Sequence, residues 1–284
     1  MDVGIFAKIF KRATLEETLD AISAHGIHAV QFNMTCAGFP TLPEHIDLVS
    51  AQRIRHAMDE RGLDMVAISG TYNMIHPDPV VRADGLHRLG TLAQACRNLG
   101  TPIITLCTGT RDATNMWRRH PDNDTPEAWH DLLTVMRSAV AVAELAGVNL
   151  GVEPELSNVV NSAVKARSLL DEIGSPNLKI VMDGSNLLRA VDIPRMRDIF
   201  LQAFDLLGKD VAVVHAKDLV IDGSAEHGAA GTGVLDYDTY LTLLKRIGFT
   251  GPLILHTLDE NQVDESVAFL RRKLIEGAHS HAVL

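Results

Sequence analysis

Short apolar runs alternate with helix-forming segments eight times along the chain, and few folds accept that grammar. The runs are Val3–Phe6, Ala29–Phe32, Met65–Ile68, Pro102–Leu106, Asn149–Val152, Leu178–Met182, Val211–Val214 and Leu253–Leu255. Continuous Val/Ile/Leu runs of this length read as parallel strands buried on both faces. Between them lie helical segments with legible ends. Thr14-Leu15-Glu16-Glu17 has the form of a capping box, and Gly26 stands where a helix closes. Helices are expected over Pro43–Arg61, Val80–Leu99, Thr125–Ala146, Asn161–Ile173, Ile193–Leu207, Tyr237–Ile247 and Asp264–Glu276. Gly62, Gly100, Gly147, Gly174 and Gly208 follow five of these. Asp222–Leu235 reads as a Gly-, Ala- and polar-rich loop.

Eight βα units in 284 residues, with no Pro/Ser-rich linker, predict an α/β fold of the (β/α)8 TIM-barrel class, one domain over residues 1–284. A doubly wound open sheet is the alternative. It would normally place a Gly-rich phosphate loop after the first strand, and Ala7-Lys8-Ile9-Phe10-Lys11 has no glycine.

In a barrel the C-terminal ends of all strands face one cavity. Four of the predicted strands run into metal-capable side chains there: Glu153, Asp183, His215 and His256. Any one of them alone could cap a helix or pair with a lysine; four convergent ones predict a divalent metal site. Two carboxylates and two imidazoles suit Mn, Co, Fe or Zn, whereas Mg prefers an all-oxygen shell. Glu155 competes with Glu153 for that role, and Asp259 or Glu260 could supply the carboxylate if His256 does not bind. Glu153 and His256 are the candidate catalytic groups, moving a proton while the ion polarises a carbonyl. Lys217 shares a strand face with His215 and is a candidate substrate contact or ion-pair partner. The long polar loop 108–124 adds Arg111, a bidentate group for phosphate or carboxylate, and Trp117 with His120; His76 comes from the preceding loop.

Composition narrows the classes. A net charge of −10 without a basic tract argues against nucleic acid as a partner. Cys36, Cys96 and Cys107 form no CxxC spacing, which favours a reducing cytoplasm over a disulfide scaffold. No apolar run approaches the ~18 residues of a membrane span. The expected partner is a small carbohydrate in the cytoplasm.

At these residues the chain resembles the xylose isomerase-like TIM barrels, in particular the sugar phosphate isomerase/epimerase group. The marks are Gly151-Val152-Glu153-Pro154, Asn161 through Gly174-Ser175-Pro176-Asn177 to Asp183, Val214-His215-Ala216-Lys217-Asp218, and Gly231-Thr232-Gly233-Val234-Leu235-Asp236-Tyr237. The resemblance implies a divalent metal on Glu153, Asp183 and His215 with a fourth ligand from the eighth strand. It also implies acid/base work by Glu153, isomerase or epimerase chemistry on a small sugar, sugar phosphate or polyol-derived ketone, and a scaffold on which homo-oligomers are common. The chain departs from the family in two places: His256 stands where a second glutamate is usual, and Asn186 where histidine is frequent. The first departure keeps two alternatives open, a lyase of the inosose dehydratase type and a non-catalytic sugar-binding barrel. An endonuclease-like hydrolase is disfavoured by the charge.

Overall fold

Eight parallel strands close into a barrel in the order β1-β10-β7-β6-β5-β4-β3-β2. The structure, a computed structural model, describes residues 1–222 and 224–279. In chain order the elements are β1 (Val3–Phe6), α1 (Leu15–Ala24), β2 (Ala29–Phe32), α2 (Leu48–Asp59), β3 (Asp64–Ser69), α3 (Pro79–Leu99), β4 (Ile103–Cys107), α4 (Pro126–Ala146), β5 (Asn149–Glu153) and α5 (Ala163–Ile173). They continue as β6 (Leu178–Asp183), α6 (Met196–Leu207), β7 (Val211–Ala216), β8 (Asp218–Asp222), β9 (Ser224–Gly228), α7 (Tyr237–Arg246), β10 (Leu253–Leu255) and α8 (Val263–His279). This is the expected (β/α)8 fold, with β8 and β9 forming an antiparallel hairpin outside the barrel.

The period-two alternation of each strand builds two cores. Outward residues such as Ile5, Val30, Ile68, Ile104, Val152, Ile180, Val214 and Leu253 pack under the helices. Inward residues Ala67, Ile103, Val181, Val213 and Ile254 make a separate small apolar plug inside the barrel. Each fully buried aliphatic side chain contributes roughly 1.5–3 kcal/mol, so the helix-facing shell carries most of the stability. Gly151 fits the plug because a Cβ there would stand 3.0 Å from Val181 Cγ2. Two positions further along β5, β6, β7 and β10, the same inward face reaches Glu153, Asp183, His215 and His256. The plug is thus the floor on which the polar site stands. Tyr240 of α7 locks two of these strands from outside, its hydroxyl donating to Met182 O at 3.0 Å and to His215 O at 3.3 Å.

Helix ends follow the sequence signals. The capping box at Thr14 is formed, and Thr125 caps α4 with Pro126 in its first turn. Three helix starts differ by two residues or more. α2 starts at Leu48 rather than Pro43, because Asp47 accepts from Ser50 N at 2.7 Å and sets the cap there. α5 starts after Ser162, which caps Lys165 N. α6 starts at Met196, since Pro194 holds the preceding residues in a 3-10 turn.

The stretch expected as loop from Asp222 to Leu235 is the larger correction. Ser224–Gly228 is a strand, paired from Asp218↔Gly228 to Asp222↔Ser224; Gly223 lies outside the described residues. Leu219-Val220-Ile221 supply strand-forming side chains. The Asp218 carboxylate ties the return, accepting from Leu219 N, Gly231 N and Leu235 N at 2.9 Å each. Gly233 is required in that knot, because a Cβ would meet Leu219 O at 2.1 Å. No described helix is long and apolar enough to cross a membrane.

Candidate metal and active site

A cavity of about 860 Å³ opens at the C-terminal ends of the strands. Glu153, His215, Lys217 and His256 line its base, with Gln31, Ser69, Thr105 and Phe6 opposite. Asp183 lies buried among the first three.

His215 is held at both ring nitrogens. Nδ1 lies 3.2 Å from Glu153 Oε1 and 3.5 Å from Asp183 Oδ2. Nε2 lies 2.8 Å from Gln31 Oε1. Burial alone would depress the imidazole, but the charges of Glu153 and Asp183 outweigh it and push it up to about 9. Lys217 is buried too, its ammonium 3.1 Å from Asp183 Oδ2 and 2.8 Å from Asn186 Oδ1. Burial would lower it, and the two carboxylates raise it above the ordinary lysine value. Conversely, burial opposes ionisation of Asp183 and Glu153, yet Lys217 and His215 hold both below the usual carboxylate range. Asn186 donates to Glu153 Oε1 at 2.6 Å, which leaves that oxygen engaged. Among the described residues the other oxygen, Oε2, meets only the Cys107 thiol, at 4.0 Å.

His256 has a different character. Its ring stacks on His215 at 5.2 Å and 15°, and on Phe6 at 5.2 Å and 28°. Burial, with the positive charge of Lys217 and His215, pushes it down to about 3, so the ring stays neutral with one nitrogen lone pair free. Nδ1 contacts Thr257 Oγ1 at 2.8 Å. Thr257 has φ 56°, the single positive-φ residue other than glycine among those described. A β-branched residue there costs on the order of 1–3 kcal/mol, and such strain is found where surrounding structure fixes a functional geometry.

Asp183, His215 and His256 each offer a ligand atom, and these lie within 4.8 Å of one another. Asp183 Oδ2 is buried and accepts no hydrogen bond; Lys217 neutralises it as an ion pair without hydrogen-bond angles. An unsatisfied carboxylate oxygen beside two imidazoles fits a divalent ion that takes mixed oxygen and nitrogen donors.

The remaining expected residues divide. Asn186 and Lys217 contact the candidate ligands, Asn186 at Glu153 Oε1 and Lys217 at Asp183 Oδ2. Trp117, 54% exposed, lines the cavity mouth. Arg111 does not line it: its guanidinium donates to Asp131 Oδ2 at 2.7 Å and to Ile75 O at 3.2 Å. His76 bonds to Ala113 O at 3.1 Å and accepts from Asp78 N, joining two loops. His120 caps the turn at Pro121. Asp259 lines the mouth, while Glu260 pairs with Arg12. Glu155, read first as a rival ligand, lines the cavity as well, and burial beside Glu153 pushes it up to about 7. Gln31 also lines the cavity, where the sequence names no candidate. A lone amide in the apolar run Ala29-Val30-Gln31-Phe32 was the available signal.

Residues 19–273 match the xylose isomerase-like TIM barrel family. The chain belongs to that family. A ketose 3-epimerase of Arthrobacter globiformis is 27% identical over 107 residues, 38% of this chain and 33% of that protein, so the shared stretch is a third of the relative. An L-ribulose 3-epimerase of Methylomonas sp. (strain DH-1) is 22% identical over 229 residues, 80% of this chain and 74% of its own length. A solved L-ribulose 3-epimerase superimposes with a TM-score of 0.75 at 19% identity, covering 100% of this chain and 98% of that one. At that identity the superposition speaks for the fold.

Proposed function

We propose that the chain is a divalent-metal-dependent isomerase or epimerase of a small sugar, acting by proton abstraction next to a carbonyl. The observation that carries this reading is the convergence of Asp183, His215 and His256 at the base of a sugar-sized cavity, with Glu153 touching His215. Ketose and L-ribulose 3-epimerisation, the activities of the two sequence relatives, support a ketose as the substrate class.

In this reading Glu153, Asp183, His215 and His256 hold the ion, and the donor set favours Mn, Co, Fe or Zn. When bound, the ion supplies Lewis-acid polarisation of the substrate carbonyl. Glu153 uses its engaged Oε1 for the site and offers Oε2 to the substrate proton. His256, with a pKa of about 3, is a weak base, so its role lies on the ion. Glu155 follows the same strand end and lines the cavity, and its carboxyl, pushed up to about 7, suits a proton donor or acceptor there. Lys217 holds the two buried carboxylates ionised, and Trp117 offers an aromatic face to the sugar at the mouth.

Metal content and solvent-deuterium exchange test this together. Elemental analysis should find one stoichiometric divalent ion. The loaded protein should wash deuterium into the carbon beside the carbonyl of a ketopentose or ketohexose. Glu153→Gln should reduce that exchange by at least ~10²-fold. A protein that neither carries nor regains a metal, or a Gln variant that exchanges at the wild-type rate, would sink the assignment.

A further inference from the structure

On β2, whose inward face carries no charge, one buried amide touches the proposed metal site. Gln31 is the inward residue of β2, 3% exposed. Its Oε1 lies 2.8 Å from His215 Nε2, and its Nε2 lies 3.4 Å from Thr105 Oγ1. His215 comes from β7, reaching across the barrel interior to meet it. The ring's other nitrogen, Nδ1, faces Glu153 and Asp183.

The orientation of the amide follows from the proposed metal site. An ion bound at Nδ1 takes that nitrogen's lone pair, so Nε2, which points away from it, keeps its proton. A buried N–H needs an acceptor, and Gln31 Oε1 is the atom within reach. The opposite amide orientation would set an NH₂ group against that N–H.

We propose that Gln31 is a positioning residue. Its amide oxygen accepts from His215 Nε2–H, fixing the tautomer and the ring plane so that Nδ1 is presented as the metal-binding atom. The inference rests on the metal site proposed above. The choice of a neutral acceptor has a charge logic. Glu153 and Asp183 already supply two negative charges against a divalent ion, and a third buried anion would find no counter-charge on β1–β4, whose inward groups at this level are neutral. Ligating histidines characteristically donate their second ring N–H to an oxygen, and removing that partner typically lowers metal affinity 10–100-fold.

The experiment compares wild type, Gln31→Leu and Gln31→Glu. Zn²⁺ and Co²⁺ dissociation constants are read by competition with a chromophoric chelator, and ¹⁵N NMR of the Zn²⁺-loaded protein reports the His215 ring nitrogens. Gln31→Leu should weaken both ions ~10–100-fold, and Gln31→Glu, which keeps an acceptor oxygen but buries a third anion, should recover only part of the loss. Wild-type spectra should show His215 protonated at Nε2 and metal-bound at Nδ1. A Leu variant with wild-type affinity, or a ring bound through Nε2, overturns the role of Gln31 while leaving the metal site standing. A wild type that binds neither ion overturns both. If the Leu variant does not fold, the wild-type ring assignment still decides.

Discussion

The ring of inward side chains just above the apolar plug divides into two unlike halves. β5, β6, β7 and β10 are contiguous in the barrel and contribute Glu153, Asp183, His215 and His256. β1, β2, β3 and β4 contribute Phe6, Gln31, Ser69 and Thr105 at the cavity wall. Both halves have the same backbone and the same burial, so the difference is chemical. On the charged half each ion has an opposite charge within reach: Asp183 has Lys217 at 3.1 Å, and Glu153 has His215 at 3.2 Å across β6. A lone charge on the neutral half would meet no such partner and would cost several kcal/mol. Concentrating the ions on one side of the barrel is what makes so much buried charge tolerable, and it leaves the other half free to orient groups by hydrogen bonds.

Lys217→Met should disturb this division most. It leaves Asp183 and Glu153 buried with one less counter-charge, which typically costs about 3–5 kcal/mol. Urea unfolding of the metal-free protein should show that loss, and saturating Zn²⁺ should recover part of it by replacing the missing cation. A loss below ~1 kcal/mol would mean that the carboxylates do not depend on Lys217, and the account of the charged half would fail.

The two histidines of that half predict opposite pH arms of smaller size. His215 is raised to about 9 from an ordinary 6.5. The stability it contributes is fully present below about pH 6.5 and is lost as pH rises through about 9. His256 is depressed to about 3, so its neutral form costs nothing above about pH 6.5, and stability is lost as pH falls toward 3. Asp183 and Glu153, both lowered, steepen the acid arm. Melting temperatures of chelator-treated protein should therefore fall on both sides of near-neutral pH. A bound ion takes the place of the His215 proton and should flatten the alkaline arm. A melting temperature that is level from about pH 6.5 to 9 without metal would remove the ion pair assigned to His215.

The same division explains what was legible in the sequence. Charged residues at the ends of Val/Ile/Leu runs stand out, so Glu153, Asp183, His215 and His256 could be named from strand grammar before any coordinate. The barrel followed from the eightfold alternation. The neutral half was silent, because Gln31, Ser69 and Thr105 resemble ordinary polar substitutions until the barrel closes and brings Gln31 of β2 within 2.8 Å of His215 of β7. Loop residues misled for a related reason. Arg111 has the chemistry to bind an anion, but only the folded chain shows that Asp131 of α4 already holds it. The hairpin at β8–β9 was hidden by its composition, since its stability rests on one carboxylate, Asp218, collecting three distant amides.

Ser69→Ala should have the smallest effect and gives the comparison its sharpest control. Ser69 lies at the end of β3, in the same cavity wall as Gln31, and carries no charge. Removing a hydroxyl forfeits at most one ordinary hydrogen bond, about 1 kcal/mol. That corresponds to roughly a fivefold change in kcat/KM and a correspondingly small shift in unfolding free energy. Glu153→Gln, across the same cavity, is expected to cost at least ~10²-fold. Parallel deuterium-exchange rates and urea midpoints for the two variants measure the contrast directly. If Ser69→Ala were as damaging as Glu153→Gln, chemistry would extend into the neutral half, and the reacting carbon would have to lie nearer β3 than β5. A Ser69→Ala protein that keeps its metal, its stability and most of its exchange rate would place the proton-transfer step on the β5 side, where Glu153 and Glu155 stand.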